Sequence, residues 1–279
     1  WIDRRTDQFY DTELILKKFQ PELYENIKVS LRQTLPEFPS VYLIKEQRLL
    51  RRVSFKNRRT NRYYIEEESM DVFSDTIEEY SRELIELIKN TLSKYSQITQ
   101  KLDSSFPRRL FEETREISEE EFNARFEIVK DIQKSLNKYE LSVSREDNHP
   151  TFKRENAKAL LVYLDDTEKK LEVFKELLKK LDMFTDILNN RRFTHKQIRI
   201  SLENGFNFFT EKGRPLGLTD LSSGEQQEVV MLFELLFKVS PNTLVLIDEP
   251  EISLHVAWQK EFLNDLSKIT ELENIRVIV

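Results

Sequence analysis

The chain has 279 residues, 39% of them hydrophobic and 34% charged, with four glycines, no cysteine and a formal net charge of -6. That composition supports a sizeable core and long exposed helices; it excludes a disulfide scaffold, cysteine-zinc ligation and thiol catalysis, and it gives no global pull toward nucleic acid. No apolar run approaches the ~20 residues that span a bilayer and no secretory signal pattern is present, so the expectation is a cytoplasmic protein without membrane contact.

Residues 11–35 read as helical, with Leu14, Leu16, Phe19, Leu23, Ile27, Leu31 and Leu35 near helical spacing and Pro21 opening a second helix after a short break. The turn Pro36-Glu37-Phe38-Pro39-Ser40 delivers a strand over residues 41–44. From Arg48 to Arg62 come seven basic residues and no acid: Arg48, Arg51, Arg52, Lys56, Arg58, Arg59 and Arg62. Valine and aromatics interleave them, so residues 50–55 and 62–65 are expected to form a hairpin around 57–61. Two uses compete for this run. One is a solvated face balanced by Glu66, Glu67 and Glu68, which is the preferred reading; the other is a surface that tracks the phosphates of a nucleic acid.

Residues 69–192 read as helical throughout. A first stripe runs Phe73, Ile77, Tyr80, Leu84, Leu87, Ile88, Leu92, Tyr95, Ile98 and Leu102; a second runs Phe122, Phe126, Val129, Ile132, Leu136 and Tyr139. The third spans residues 154–189 through Leu160, Leu164, Leu171, Phe174, Leu178, Leu181 and Leu188, with Leu177 and Phe184 widening the face. Breaks are expected at Ser104-Ser105-Phe106-Pro107 and at Asp147-Asn148-His149-Pro150. Such stripes are core seams, and His149 and His195 read as surface or satisfied histidines rather than metal ligands. A second hairpin follows, with residues 197–202 and 206–209 around Glu203-Asn204-Gly205, and residues 215–218 lead out of it.

The chemistry concentrates between Leu221 and Leu254. Leu221-Ser222-Ser223-Gly224-Glu225 is a small-residue turn entering a helix: a serine caps it, Gly224 lets a ligand approach the backbone, and the N-H groups of the first turn face outward, as anion sites require. One amphipathic helix later, the aliphatic run Leu244-Val245-Leu246-Ile247 ends in Asp248-Glu249, in the manner of a buried parallel strand whose carboxyl end meets a ligand. One carboxylate suits Mg²⁺, and its neighbour can orient or deprotonate a water.

At these residues the chain resembles the ATP-binding-cassette ATPases, more narrowly their SMC-like and OLD-like branch. LSSGE resembles the signature motif, LVLIDE resembles Walker B with its catalytic glutamate, and Ser253-Leu254-His255 falls where the family has its D-loop. Glu225, in place of the glutamine of transporters, is similar to the SMC-like form. His255 departs from the usual aspartate, a departure shared with bacterial defence ATPases that carry a DEPE-x-SLH string. The resemblance implies that Asp248 helps hold Mg²⁺, that Glu249 acts on the attacking water, and that Ser222, Ser223, Gly224 and Glu225 meet the nucleotide of a partner head, with His255 beside them. A weaker likeness of VYLIKEQRLL to a strand-then-arginine segment adds Arg48 as a nucleotide contact.

No G-x-x-x-x-G-K-[ST] occurs in the sequence. The expectation is therefore an internal portion of a longer polypeptide, with the Walker A lobe upstream and a switch histidine beyond the strand at residues 274–279. The expected architecture is an α/β ATP-binding-cassette head: a head portion with the basic hairpin at 1–68, a helical arm at 69–192, and the signature and Walker B lobe at 193–279. The resemblance implies an ATPase using ATP and Mg²⁺, pairing head to tail as a homodimer or larger oligomer, and licensing an effector in antiviral defence as in Septu, retron and PARIS-type systems. The alternatives are an OLD-like nuclease with a Toprim domain further along the polypeptide, and a scaffold that assembles without hydrolysis.

Overall fold

In a computed structural model, the described residues are 2–3, 8–9, 40–44, 49–61, 64–141, 150–189, 193, 195–248, 250 and 256–279. The helix expected at 11–35, and the calls on Arg48, His149, Glu249 and His255, lie outside them. The chain forms two compact units, one made of residues 1–46, 239–250 and 266–279, the other of 47–238 and 251–265.

The first unit opens with a short antiparallel pair, β1 (Ile2–Asp3) and β2 (Gln8–Phe9), and is built on a parallel sheet. Strand β3 (Ser40–Ile44) and strand β10 (Arg276–Ile278) flank β9 (Thr243–Ile247), and both pair with it in parallel. Leu244, Val245 and Ile247 are buried, as a strand covered on both faces requires, whereas Val41 and Leu43 on the flanking strand are half exposed. The ladder runs one residue past the strand, where the Asp248 N-H donates to the Ile44 carbonyl at 3.0 Å. Before β10, helix α6 (Val256–Glu273) ends at Asn274 in the left-handed region (φ 51), and the Ile275 N-H returns to the Thr270 carbonyl at 3.2 Å. Asparagine tolerates that conformation and so stops the helix there.

The second unit begins with a long antiparallel hairpin, β4 (Leu50–Asn61) and β5 (Tyr64–Asp75). Its arms are about twice as long as expected, pairing from Asn61 opposite Tyr64 outward, so Phe73 belongs to a strand rather than to the first helical stripe. The reason is cross-strand: pairing continues in register down to Leu50 opposite Asp75, and the Thr76 N-H then closes on the Leu49 carbonyl at 2.9 Å. That register sets Arg58 opposite Glu67 and Arg59 opposite Glu66.

Four helices follow: α1 (Thr76–Glu112), α2 (Glu119–Lys138), α3 (Ala157–Glu172) and α4 (Lys175–Ile187). Helix α1 runs through Pro107, where a break was expected, and spans roughly 55 Å at ~1.5 Å per residue. A helical proline removes the donor for the carbonyl four residues back, here that of Asp103. Side chains add bonds in the same turn: the Ser104 and Ser105 hydroxyls donate to the Lys101 carbonyl at 3.0 Å, and Arg109 donates to the Leu102 carbonyl at 2.7 Å. Arg109 also grips Asp166 of α3, which fixes the guanidinium in place.

The third stripe divides into α3 and α4 at Val173-Phe174, where one tighter turn, Phe174 N-H to Leu171 carbonyl at 3.0 Å, interrupts the helical ladder without reversing the chain. All nine apolar residues of that stripe are buried. Each contributes about 1.5–3 kcal/mol over exposure. Helix α2 carries the second stripe and starts at a cap, with the Ser118 hydroxyl accepting the Glu121 N-H, and Arg125 ties it to Asp165 and Glu168 of α3 at 2.6 and 2.8 Å.

The chain then forms a small antiparallel sheet, β6 (Lys196–Ser201), β7 (Gly205–Thr210) and β8 (Pro215–Leu216). The start of α1 is packed onto β7. Ser81 donates to the Asn204 carbonyl at 2.8 Å and accepts the Phe206 N-H at 3.1 Å. Gly205 lies at φ +65, and a Cβ built on it would sit 2.1 Å from the Ser81 carbonyl oxygen.

Gly213 shares the positive φ, at +75, but faces open space. Gly205→Ala should therefore lower unfolding free energy by roughly 2–5 kcal/mol, from left-handed strain plus overpacking, and Gly213→Ala by roughly 1–2 kcal/mol from strain alone. Urea unfolding of both variants measures the difference. Equal losses would contradict the close approach of α1 to β7.

Candidate functional site

Helix α5 (Ser223–Phe233) starts at the signature-like turn. Its first helical bond is the Gln226 N-H to the Ser222 carbonyl at 2.9 Å, so the N-H groups of Ser223 and Gly224 precede the ladder and are the ones a helix start offers to an anion. Ser222 and Ser223 are exposed and Gly224 is partly so.

Ser222 and Glu225 form a reciprocal cap. The Ser222 hydroxyl accepts the Glu225 N-H at 3.4 Å, while Glu225 Oε2 accepts the Ser222 N-H at 2.8 Å and the Ser222 hydroxyl at 2.9 Å. Lys196, the first residue of β6, closes the arrangement with its ammonium 2.8 and 2.7 Å from the two carboxylate oxygens. The loop before the turn is stapled by Gln226, whose side chain donates to the Leu221 carbonyl at 2.9 Å. Burial pushes the Glu225 carboxyl up, but the hydrogen bonds from Lys196 and Ser222 outweigh it and hold the group below its ordinary value of 4.5. Glu225 is thus a capping and charge-paired residue first, and the outward groups of the turn belong to Ser223 and Gly224.

The far end of α5 is anchored in the same unit. A π-helical turn, Glu234–Lys238, follows it. Tyr80 of α1 donates its hydroxyl to the buried Glu234 carboxylate, and Lys238 holds both oxygens of Glu83 at 2.7 Å with its ammonium 4.5 Å from the Tyr80 ring centre. Tyr80 stacks on Phe233 at 4.7 Å, and Phe184 and Phe206 meet the same ring edge-on or tilted. Helix α5 is therefore clamped at its cap by β6 and along its length by α1 and α4.

The acidic end of the Walker-B-like strand belongs to the other unit. Asp248 is exposed directly after β9, with its backbone held to β3. Among the described residues no cluster of three or more acids or histidines is placed to hold a metal ion. A single exposed carboxylate at a strand end still fits Mg²⁺ that arrives on nucleotide phosphates, since that ion keeps waters and takes one or two carboxylates. His195 is exposed, with its Nδ1 2.8 Å from Glu211.

The family model described as "AAA domain, putative AbiEii toxin, Type IV TA system" matches residues 2–279. The chain belongs to that family. As an AAA domain it is of the ABC/AAA ATPase type, whose members typically use ATP with Mg²⁺. No curated protein matches it significantly. No helix among its described residues is long and apolar enough to cross a membrane.

Lys196, Glu83, Glu234 and Lys238 were not singled out from the sequence, and Tyr80 was read only as a member of an apolar stripe, because each pairing spans 29 or more residues. The cap carries a pH signature in this AAA domain. A carboxyl held below its unfolded value stabilises the fold above pH 4.5, and that stabilisation is lost as pH falls through the folded value. Thermal melts of wild type and Glu225→Gln should thus differ most above pH 4.5 and converge as the wild-type carboxyl protonates. A gap that stays constant from pH 6 to pH 3 would contradict the assignment.

Proposed function

We propose that this AAA domain hydrolyses ATP at a site shared between two heads. In this reading Ser223 and Gly224 offer N-H groups and a hydroxyl to the γ-phosphate held by the opposite head, Ser222 contributes once its hydroxyl leaves Glu225, Asp248 holds Mg²⁺, and Glu249 takes the proton of the attacking water. Bound Mg²⁺ would supply charge neutralisation of the phosphates. Phosphoryl transfer depends on positioning and charge more than on covalent chemistry, so a site split between heads can be switched by assembly alone. What carries the reading is the combination, in one member of the family, of a capped helix start with outward N-H groups and an exposed acid at the carboxyl end of the middle strand of a parallel sheet.

Two further residues have roles in this proposal: His255 lies beside the shared site and Arg48 reaches the nucleotide. Helices α1–α4 form an arm that presents a partner surface, in a protein of the SMC-like and OLD-like branch that forms homodimers or larger oligomers and licenses an effector in antiviral defence. The family's description as a putative toxin of a type IV system supports a second setting, in which the ATPase belongs to a toxin and its partner is an antitoxin. The opposition of Arg58 to Glu67 and Arg59 to Glu66 supports a self-balanced hairpin rather than a nucleic-acid track.

Glu249→Gln should keep ATP binding and lower turnover about a hundredfold or more, since it removes the base and leaves Asp248 in place. Unchanged turnover would sink the assignment. Gly224→Asp should also abolish turnover, by placing bulk and negative charge where the phosphate approaches. Mixing the two inactive proteins assembles heterodimers with both lesions in one shared site and none in the other, so partial ATPase activity should return. Failure to recover activity, with mixed dimers shown to form and ATP bound, would contradict shared sites that fire independently.

A further inference from the structure

The signature-like turn contains an electrostatic conflict. A glutamate three residues into a helix is favourable for the helix, because its carboxylate satisfies the cap and complements the dipole. For a helix that is also to receive a phosphate it is unfavourable, since the carboxylate competes for the same positive terminus and draws the Ser222 hydroxyl proton toward itself at 2.9 Å. An uncompensated negative charge a few ångströms from an incoming polyanion costs binding at any plausible dielectric.

Lys196 resolves that conflict. Its ammonium lies on both oxygens of Glu225 at 2.7 and 2.8 Å, with 25% of the lysine side chain and 12% of the glutamate exposed. The lysine is delivered by a rigid support: Asn189, just after α4, bonds both the N-H and the carbonyl of Ile198 on β6, at 2.7 and 3.3 Å. We infer that Lys196 is a positioning residue for phosphate recognition, one that cancels the charge of Glu225 so that the capped turn accepts a nucleotide phosphate. This rests on the ATPase reading and adds to it a group 29 residues upstream of the turn, on another element.

A lysine serving purely as a structural staple predicts something different. Removing either partner of a half-buried ion pair leaves the other unpaired, and both losses lower stability. The charge account separates the two single variants by sign, because Lys196→Met leaves the turn with an extra negative charge and Glu225→Gln leaves it with an extra positive one.

The test is steady-state ATP turnover of the intact protein and four variants, Lys196→Met, Lys196→Arg, Glu225→Gln and the double variant Lys196→Met/Glu225→Gln, with melting temperatures taken alongside. Lys196→Met should raise KM for ATP at least tenfold, Lys196→Arg should stay within threefold, Glu225→Gln should lower KM at least twofold, and the double variant should recover to within threefold of wild type. Both single variants raising KM alike, in step with their loss of melting temperature, would overturn the inference in favour of a staple. An unchanged KM in Lys196→Met would overturn it outright. If the wild type itself does not hydrolyse ATP, the ATPase reading falls and this inference with it, so the wild-type rate separates the two failures.

Discussion

The close approach of α1 to β7 determines where the other functional parts of the larger unit can lie. Ser81 bonds the backbone of Asn204, just before β7, and of Phe206 on β7, and the Gly205 backbone fits beneath it because no Cβ intervenes. The same turn of α1 carries Tyr80 and Glu83 to the π-helical turn that follows α5, where Glu234 and Lys238 meet them. The cap of α5 is meanwhile set by Lys196 on β6, the strand paired to β7. A helix fixed at both ends in this way presents its first N-H groups in one direction, as recognition of a phosphate requires.

These anchors also tie α5 to the long helices. Helix α1 contacts β7 and α5 near its start and α3 further along, while α4 delivers its last residues to β6 through Asn189. Tyr80, Ser81 and Glu234 of this seam are buried, with Tyr80 stacked on Phe233, so each unmade bond of theirs would cost about 1–3 kcal/mol. The π-helical stretch at Glu234–Lys238 is where α1 bonds the segment that follows α5.

Much of this was legible in the sequence wherever the signal was local. The aliphatic run ending in Asp248 reads as a parallel strand because burial on both faces removes alternation, and β9 is flanked on both sides in parallel. The stripe from Leu160 to Leu188 reads as a helical core seam because leucine and phenylalanine recur at helical spacing, and all its members are buried. Local rules failed where distant groups decide. Pro107 reads as a break, yet the helix continues through it, with Ser104, Ser105 and Arg109 adding bonds to the turn before it and Arg109 anchored on Asp166 of α3. Phe73 fits a helical stripe by spacing but is held in β5 by its partner strand. At the turn, the pairing of Ser222 with Glu225 is a local capping pattern, whereas Lys196 is recognisable as its counter-charge through the fold and not through spacing.

The central claim is that the capped turn of one head meets the γ-phosphate bound by another. A structure of the intact Glu249→Gln protein with Mg²⁺-ATP tests it most directly, because the proposal expects that variant to hold nucleotide without consuming it. The account predicts ATP enclosed between two copies, with the N-H groups of Ser223 and Gly224 from one copy within hydrogen-bond distance of the γ-phosphate on the other, and Glu225 still paired with Lys196. ATP bound to a single head, with the Ser223-Gly224 turn of every copy remote from any phosphate, would contradict it.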